Sequence, residues 1–228
     1  MILPFYMDWT FLLIIPGLIV GIWAQSKVTR TYKTYSQIPV SSGISGSVAA
    51  ARILGRSGIE DVSVFMTRGL LSDNYNPRKK TVNLSENNFS GRSVAAVAIA
   101  AHECGHAMQH HNSYFPLRIR SLMAPVISAA SYMLWPILIL GMFMGMAQSI
   151  HIVVYIFVGI FVFQLVTLPV EYNASRRALA ALEADNVLSD EELLGAKKML
   201  NAAALTYVAA TLAALLNLLR FSMLSRRR

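Results

Sequence analysis

Residues 100–106 read AAHECGH and close an alanine-rich run that begins near Ser93. The run SVAAVAIAA carries small, apolar side chains on nearly every side, which predicts a helix buried all round. On that helix His102 and His106 share one face, a turn apart, a spacing that suits two ligands of one metal ion. Glu103 lies beside them, where a carboxylate can reach water held at the metal. This is the H-E-x-x-H arrangement. A histidine in a buried helix is often no more than hydrogen-bonded to a carbonyl. A His–Glu–His group buried among apolar residues without a metal is costly, however, so a zinc site is expected. Gly105 permits close backbone approach but weakens the helix. Cys104 points away from the two histidines and is expected to be a small packing residue.

Composition places this helix in a membrane protein. Of 228 residues 55% are hydrophobic and 14% charged, against about 25% charged in an ordinary soluble domain. The mean hydropathy is +0.49. The net charge of +8 is expected to set topology at lipid headgroups. No basic helix face and no basic stretch interleaved with aromatics appears, so nucleic acid is not an expected partner. A single cysteine excludes an intramolecular disulfide.

Four apolar runs organise the chain. The first is Trp9 to Ala24, with Trp9 and Trp23 as interfacial anchors, and no Lys or Arg precedes it as a signal peptide would require. The second, Leu122 to Ala147, holds Pro125 and Pro136. The third is Ile150 to Val170, and Gln148 and Ser149 between them predict a tight hairpin through the bilayer. The fourth, Ala202 to Leu219, is marginal in length and rich in small residues. Twelve of the 20 Lys and Arg lie between the first and second runs and four between the third and fourth. Lys27, Arg30, Lys33, Arg118 and Arg120 stand close to the runs, so both polar regions are expected on the cytoplasmic side of a multi-pass protein of the cell membrane. Arg220 and Arg226 to Arg228 fall outside if the fourth run crosses; sequence leaves its crossing open.

The polar region 25–120 reads as α+β. SGISGSVAARILGRSG is a helix with Ser45 as its cap, and DVSVFM (Asp61 to Met66) alternates like a strand. SDNYNPRKK is turn chemistry, and TVNLS (Thr81 to Ser85) is a second strand. Ser90 or Ser93 caps the long H-E-x-x-H helix. The expected organisation is an N-terminal transmembrane helix at 1–24, the domain bearing the histidines at 25–120, a transmembrane hairpin at 121–170, and a segment at 171–228 that completes the site and ends in a hydrophobic helix.

A catalytic zinc needs a third protein ligand and an open position. The elongated motif with a third histidine fails, because Gln109 stands at its glycine and Asn112 at its histidine. His110 is on the same stripe but another turn away. Glu171, in LPVEYNASRRALAAL, is the better candidate. Because the hairpin crosses twice, Glu171 returns to the side of His102 and His106, with Pro169 marking a helix start or kink.

In SDNYNPRKKTVNLSE, SVAAVAIAAHECGHAMQH, LPVEYNASRRAL and GAKKMLNAAALTYVAATLAALLNLLR, the chain resembles the YugP-type family of membrane zinc metallopeptidases, with the ligand logic of glutamate-zincins (gluzincins). The resemblance covers about residues 40 to 220 and implies a mostly α, zincin-like catalytic domain with a small sheet, fused to transmembrane helices. It implies zinc held by His102, His106 and Glu171, with Glu103 as general base. Where glutamate-zincins often place a supporting aspartate, this chain has Ser175; where the YugP pattern often has one, it has Asn173. These two are the candidate neighbours of the ligands, with Glu86 as a substitute carboxylate.

The expected reaction is endopeptidase cleavage of membrane or membrane-proximal proteins. The substrate would lie along an edge strand at Val82, Asn83 and Leu84. Tyr75, Tyr172, Arg176, Arg177 and His110 are candidates for stabilising the oxyanion. For Arg176 and Arg177 a solvated or headgroup-facing role fits at least as well. A non-catalytic zinc-binding scaffold or regulatory subunit of a larger membrane complex, with four ligands, is the alternative. A transporter is disfavoured, because the apolar runs are almost free of ionisable residues.

Overall fold

The computed structural model describes residues 9–69, 72–144 and 149–226. A turn of 3-10 helix, Trp9–Leu13, leads into α1 (Ile14–Ser36), followed by α2 (Gly46–Arg56), β1 (Ser63–Thr67), β2 (Asn74–Asn76) and β3 (Thr81–Ser85). Then come α3 (Glu86–Phe89), α4 (Val94–His111), α5 (Phe115–Phe143), α6 (Ser149–Ala184) and α7 (Asp190–Ser225). The protein is mostly helical with one small sheet. Among the described residues, four helices are long and apolar enough to cross a membrane.

Internal contacts divide the chain into two compact units. The first comprises Met1–Ala24, Ile119–Leu168 and Thr206–Arg228; the second comprises Gln25–Arg118 and Pro169–Leu205. The described residues of the first unit are almost entirely helical and mostly apolar. Within it α1 and α7 lie side by side: a Cβ on Gly17 would stand 3.0 Å from Leu216 Cδ1, and the Arg220 guanidinium lies 4.8 Å from the centre of the Phe11 ring. Phe157 of α6 stacks on Phe221 of α7, ring centres 4.9 Å apart. Gly17 lets α1 and α7 approach closely, as small residues do at helix–helix contacts.

The second unit carries the sheet. Its strand order is β1-β3-β2, with β1 parallel and β2 antiparallel to β3. Val82 and Leu84 of β3 are fully buried and pack with Ile53 of α2, Val94, Val97 and Ala101 of α4, and Leu182 of α6 in one core. Side chains that are small on α4 and branched on the strand let the helix lie close against the sheet. Ser45 caps α2 by accepting from the Val48 N–H. Ser93, not Ser90, caps α4 through the Ala96 N–H, which satisfies one of the orphan donors of the first turn.

Several expectations are corrected here. Val82, Asn83 and Leu84 do not form an edge, because β3 is the central strand and is bonded on both sides. The extra strand is β2, three residues inside the stretch read as turn. Asn76 Oδ1 accepts from the Arg78 and Lys79 N–H groups, and Lys80 turns the chain with φ 52°. Pro169 does not start a helix; it sits inside α6, which continues from the third apolar run through Glu171, a position compatible with the kink reading. Glu86 is exposed at the start of α3. The hairpin tip at Gln148, and Arg227 and Arg228 of the tail, lie outside the described residues.

Leu84 is 0% exposed, so Leu84→Ala should cost about 2–5 kcal/mol of stability. Thermal unfolding of the detergent-solubilised chain checks it, and an unchanged midpoint would show that this core does not hold the fold.

Candidate metal centre

Helices α4 and α6 build the site. They touch at Gly105: a Cβ there would lie 2.4 Å from the Ala174 carbonyl oxygen and 3.1 Å from Ala174 Cα. Any larger residue would push the helices apart. At this approach His102 and His106 of α4 face Glu171 of α6. His102 Nε2 lies 3.2 Å and His106 Nε2 3.6 Å from Glu171 Oε2. The three ligand atoms lie within 4.8 Å of one another. Glu171 is only 1% exposed and His106 8%, and the two imidazoles meet edge to face with ring centres 4.8 Å apart.

The outer nitrogens show which atoms face inward. Gln109, on the same face as His106 and one turn on, is fully buried. Its Nε2 donates to the Val170 carbonyl at 2.7 Å and to Asn173 Oδ1 at 3.0 Å. Its Oε1 therefore accepts, and the proton of the 3.0 Å bond to His106 Nδ1 belongs to the imidazole. The neutral ring then presents a bare Nε2 lone pair to a buried carboxylate. Two acceptors facing each other require a positive charge between or upon them. Two imidazole nitrogens and one carboxylate oxygen suit zinc in both ligand type and number. Ser175 Oγ lies 3.2 Å from His102 Nδ1 and can accept its proton in the same way. The structure thus fits a metal held by His102, His106 and Glu171.

Glu103 is 9% exposed. Burial pushes its carboxyl up to about 7; the neighbouring His102 opposes the shift, and the Glu171 and Asp73 carboxylates add to it. The Tyr75 backbone N–H bonds to this carboxylate. Asp73, at the entry to β2, is held by the Ser85 N–H at 2.7 Å and Asn88 Nδ2 at 2.9 Å, which ties the short strand to β3 and α3.

The remaining candidates separate. Tyr75 and His110 come together, with the phenol oxygen 2.8 Å from His110 Nδ1, while burial and the Asp61 charge raise the Tyr75 hydroxyl to about 12. Tyr172 and Arg176 are exposed and line a cleft of about 670 Å³ between α6 and α7. Arg177 donates through Nε to Asn173 Oδ1 at 2.8 Å. Asn173 therefore bonds Gln109 and Arg177, and reaches His106 only through Gln109. Cys104 is fully buried, its sulfur 3.6 Å from the Ala50 carbonyl. Gln109 is the residue that sequence reasoning noticed only as a departure from a motif. Its position three residues after a ligand histidine, on the same face, was the available signal.

A family model described as "Putative neutral zinc metallopeptidase" matches residues 10–226. The chain belongs to this family. It is 44% identical over 213 residues to the "Putative membrane protease YugP" of Bacillus subtilis (strain 168), covering 93% of this chain and 94% of that one. No solved structure matches the chain. The match covers residues of both units.

Two expectations follow from the geometry. Gly105→Ala should move α4 from α6 and reduce the zinc bound per purified chain, as elemental analysis would read; full zinc content would show that this contact does not set the site. Gln109→Leu removes the acceptor for His106 and should weaken zinc about 10- to 100-fold in a chelator competition. Unaltered affinity would mean that the amide does not orient the ring.

Proposed function

We propose that this protein is a membrane zinc endopeptidase, a glutamate-zincin in its ligand logic, that cleaves membrane or membrane-proximal proteins. The observation that carries the reading is the meeting of two inward-facing imidazole nitrogens with a buried carboxylate, beside a second carboxyl held near neutrality. Zinc held by His102, His106 and Glu171 supplies Lewis acidity, polarising a carbonyl and acidifying water.

Glu103 is the general base. A carboxyl that burial holds near 7 takes a proton at neutral pH and returns it to the departing amine. The Tyr75 N–H orients it. The Tyr75–His110 pair is favoured as the oxyanion donor, because the Tyr75 backbone bonds Glu103 and its hydroxyl meets His110, whereas Arg177 is committed to Asn173. Main-chain recognition is reassigned from β3 to the outer edge of β2, where the substrate would add a strand next to Glu103.

The four apolar helices cross the bilayer in this reading. The pairing of Gly17 with Leu216 and of Phe11 with Arg220 supports α7 crossing as far as α1. The basic residues flanking the apolar runs support a cytoplasmic position for the second unit.

Glu103→Gln should retain zinc and lower cleavage of a membrane-protein substrate by about 10²–10⁴-fold, while Glu171→Ala should lose zinc itself. Retained cleavage by Glu103→Gln would overturn the general-base role, and a zinc-loaded wild-type chain that cleaves nothing would favour a non-catalytic zinc scaffold.

A further inference from the structure

A second cleft takes no part in that chemistry. It has a volume of about 640 Å³ and is walled by α1, α6 and α7. Lys27 and Arg30 reach it from α1 and Lys198 from α7, and no carboxylate stands among the residues that line it. Tyr172 and Asn201 add a hydroxyl and an amide. Three cations are thus gathered from two helices around one concavity with room for an ion and part of a chain.

Its level along the helices is informative. Lys27 stands one turn beyond Trp23, at the end of the first apolar run. Tyr172 comes just past the third run, and Lys198 just before the fourth. Each wall therefore meets the cleft where its helix changes from apolar to polar. On α7 the lining continues from Lys198 and Asn201 to Ala202 and Leu205, cationic at one end and apolar at the other. A soluble anion has no use for that gradation, but an amphiphile has.

We propose that this cleft is a binding site for the phosphate of an anionic phospholipid headgroup, with the acyl chains leaving along the apolar part of α7. Arg30 offers a planar fork that matches phosphate oxygens, and Lys27 and Lys198 add two ammonium charges. Basic clefts between helices at the membrane boundary select anionic headgroups in this way. The inference rests on the reading that these helices cross a bilayer, and it is independent of the peptidase reading.

The test uses the full chain in mild detergent, with native mass spectrometry counting retained phosphatidylglycerol against phosphatidylcholine of the same acyl chains. Phosphatidylglycerol should be retained about tenfold or more over phosphatidylcholine. The variant Lys27→Gln/Arg30→Gln/Lys198→Gln should abolish that preference. A variant of equal charge, Arg78→Gln/Lys79→Gln/Arg92→Gln, at exposed positions away from the cleft, should keep it. Lys198→Gln alone, expected to lower the preference several-fold, serves if the triple variant does not fold. Equal retention of the two lipids, equal loss in both triple variants, or an undiminished preference in the cleft variants would overturn the site. Millimolar inorganic phosphate that displaces phosphatidylglycerol completely and binds equally well alone would assign the cleft to free phosphate and overturn the lipid. Resistance of the chain to alkaline extraction from membranes, measured in parallel, separates failure of the site from failure of the membrane reading.

Discussion

The closest approach of α4 to α6, at Gly105 and Ala174, is the constraint on which the site depends. Two helices carrying ordinary side chains sit 8–10 Å apart. With hydrogen alone at position 105, the two backbones close until a Cβ would overlap the Ala174 carbonyl. Imidazole side chains on one helix then reach a glutamate on the other with little reach to spare. The alanines of α4 serve the same end on its remaining faces, where the helix lies against the sheet and α2. A residue that lowers helix propensity is thus placed inside the most buried helix of the second unit, because packing outweighs propensity there.

Around that contact the polar groups form a directed chain. Arg177 donates to Asn173, Gln109 donates to Asn173 and Val170, and His106 donates to Gln109. Ser175 plays the corresponding part for His102. Amides and a hydroxyl stand where related zinc sites often use a carboxylate. Their advantage here is electrostatic. Glu103 and Glu171 are already buried together, and a further anion beside them would be repelled in a medium of low dielectric. Neutral acceptors orient the rings and hold their protons outward without adding charge. The Arg177 guanidinium feeds the network from its more exposed end.

The helices, the apolar runs, the caps at Ser45 and Ser93, and the histidine pair were legible because each is written in local spacing. Strand β2 was not. It is three polar residues, Asn-Tyr-Asn, with no alternation to detect, and it exists as a strand because Asp73 binds Ser85 and Asn88 and draws it against β3. Missing it misplaced the sheet edge from β2 to β3. Of the two readings of Pro169, a helix start fails, because α6 continues through it; a proline can signal a start or a kink locally, and only the fold separates the two.

By itself the sequence determined that this chain is a mostly helical, membrane-type protein with two histidines on one helix face, a glutamate beside them, and a third ligand candidate 65 residues beyond His106. Those properties follow from periodicity, hydropathy and charge, which act over a few turns of chain. Tertiary structure alone decided that Glu171 meets both histidines, that Gln109 sets the proton on His106, and that β2 rather than β3 is the edge beside Glu103. Each is a contact between segments distant in sequence, and such contacts are set by how closely α4, α6 and the sheet can pack.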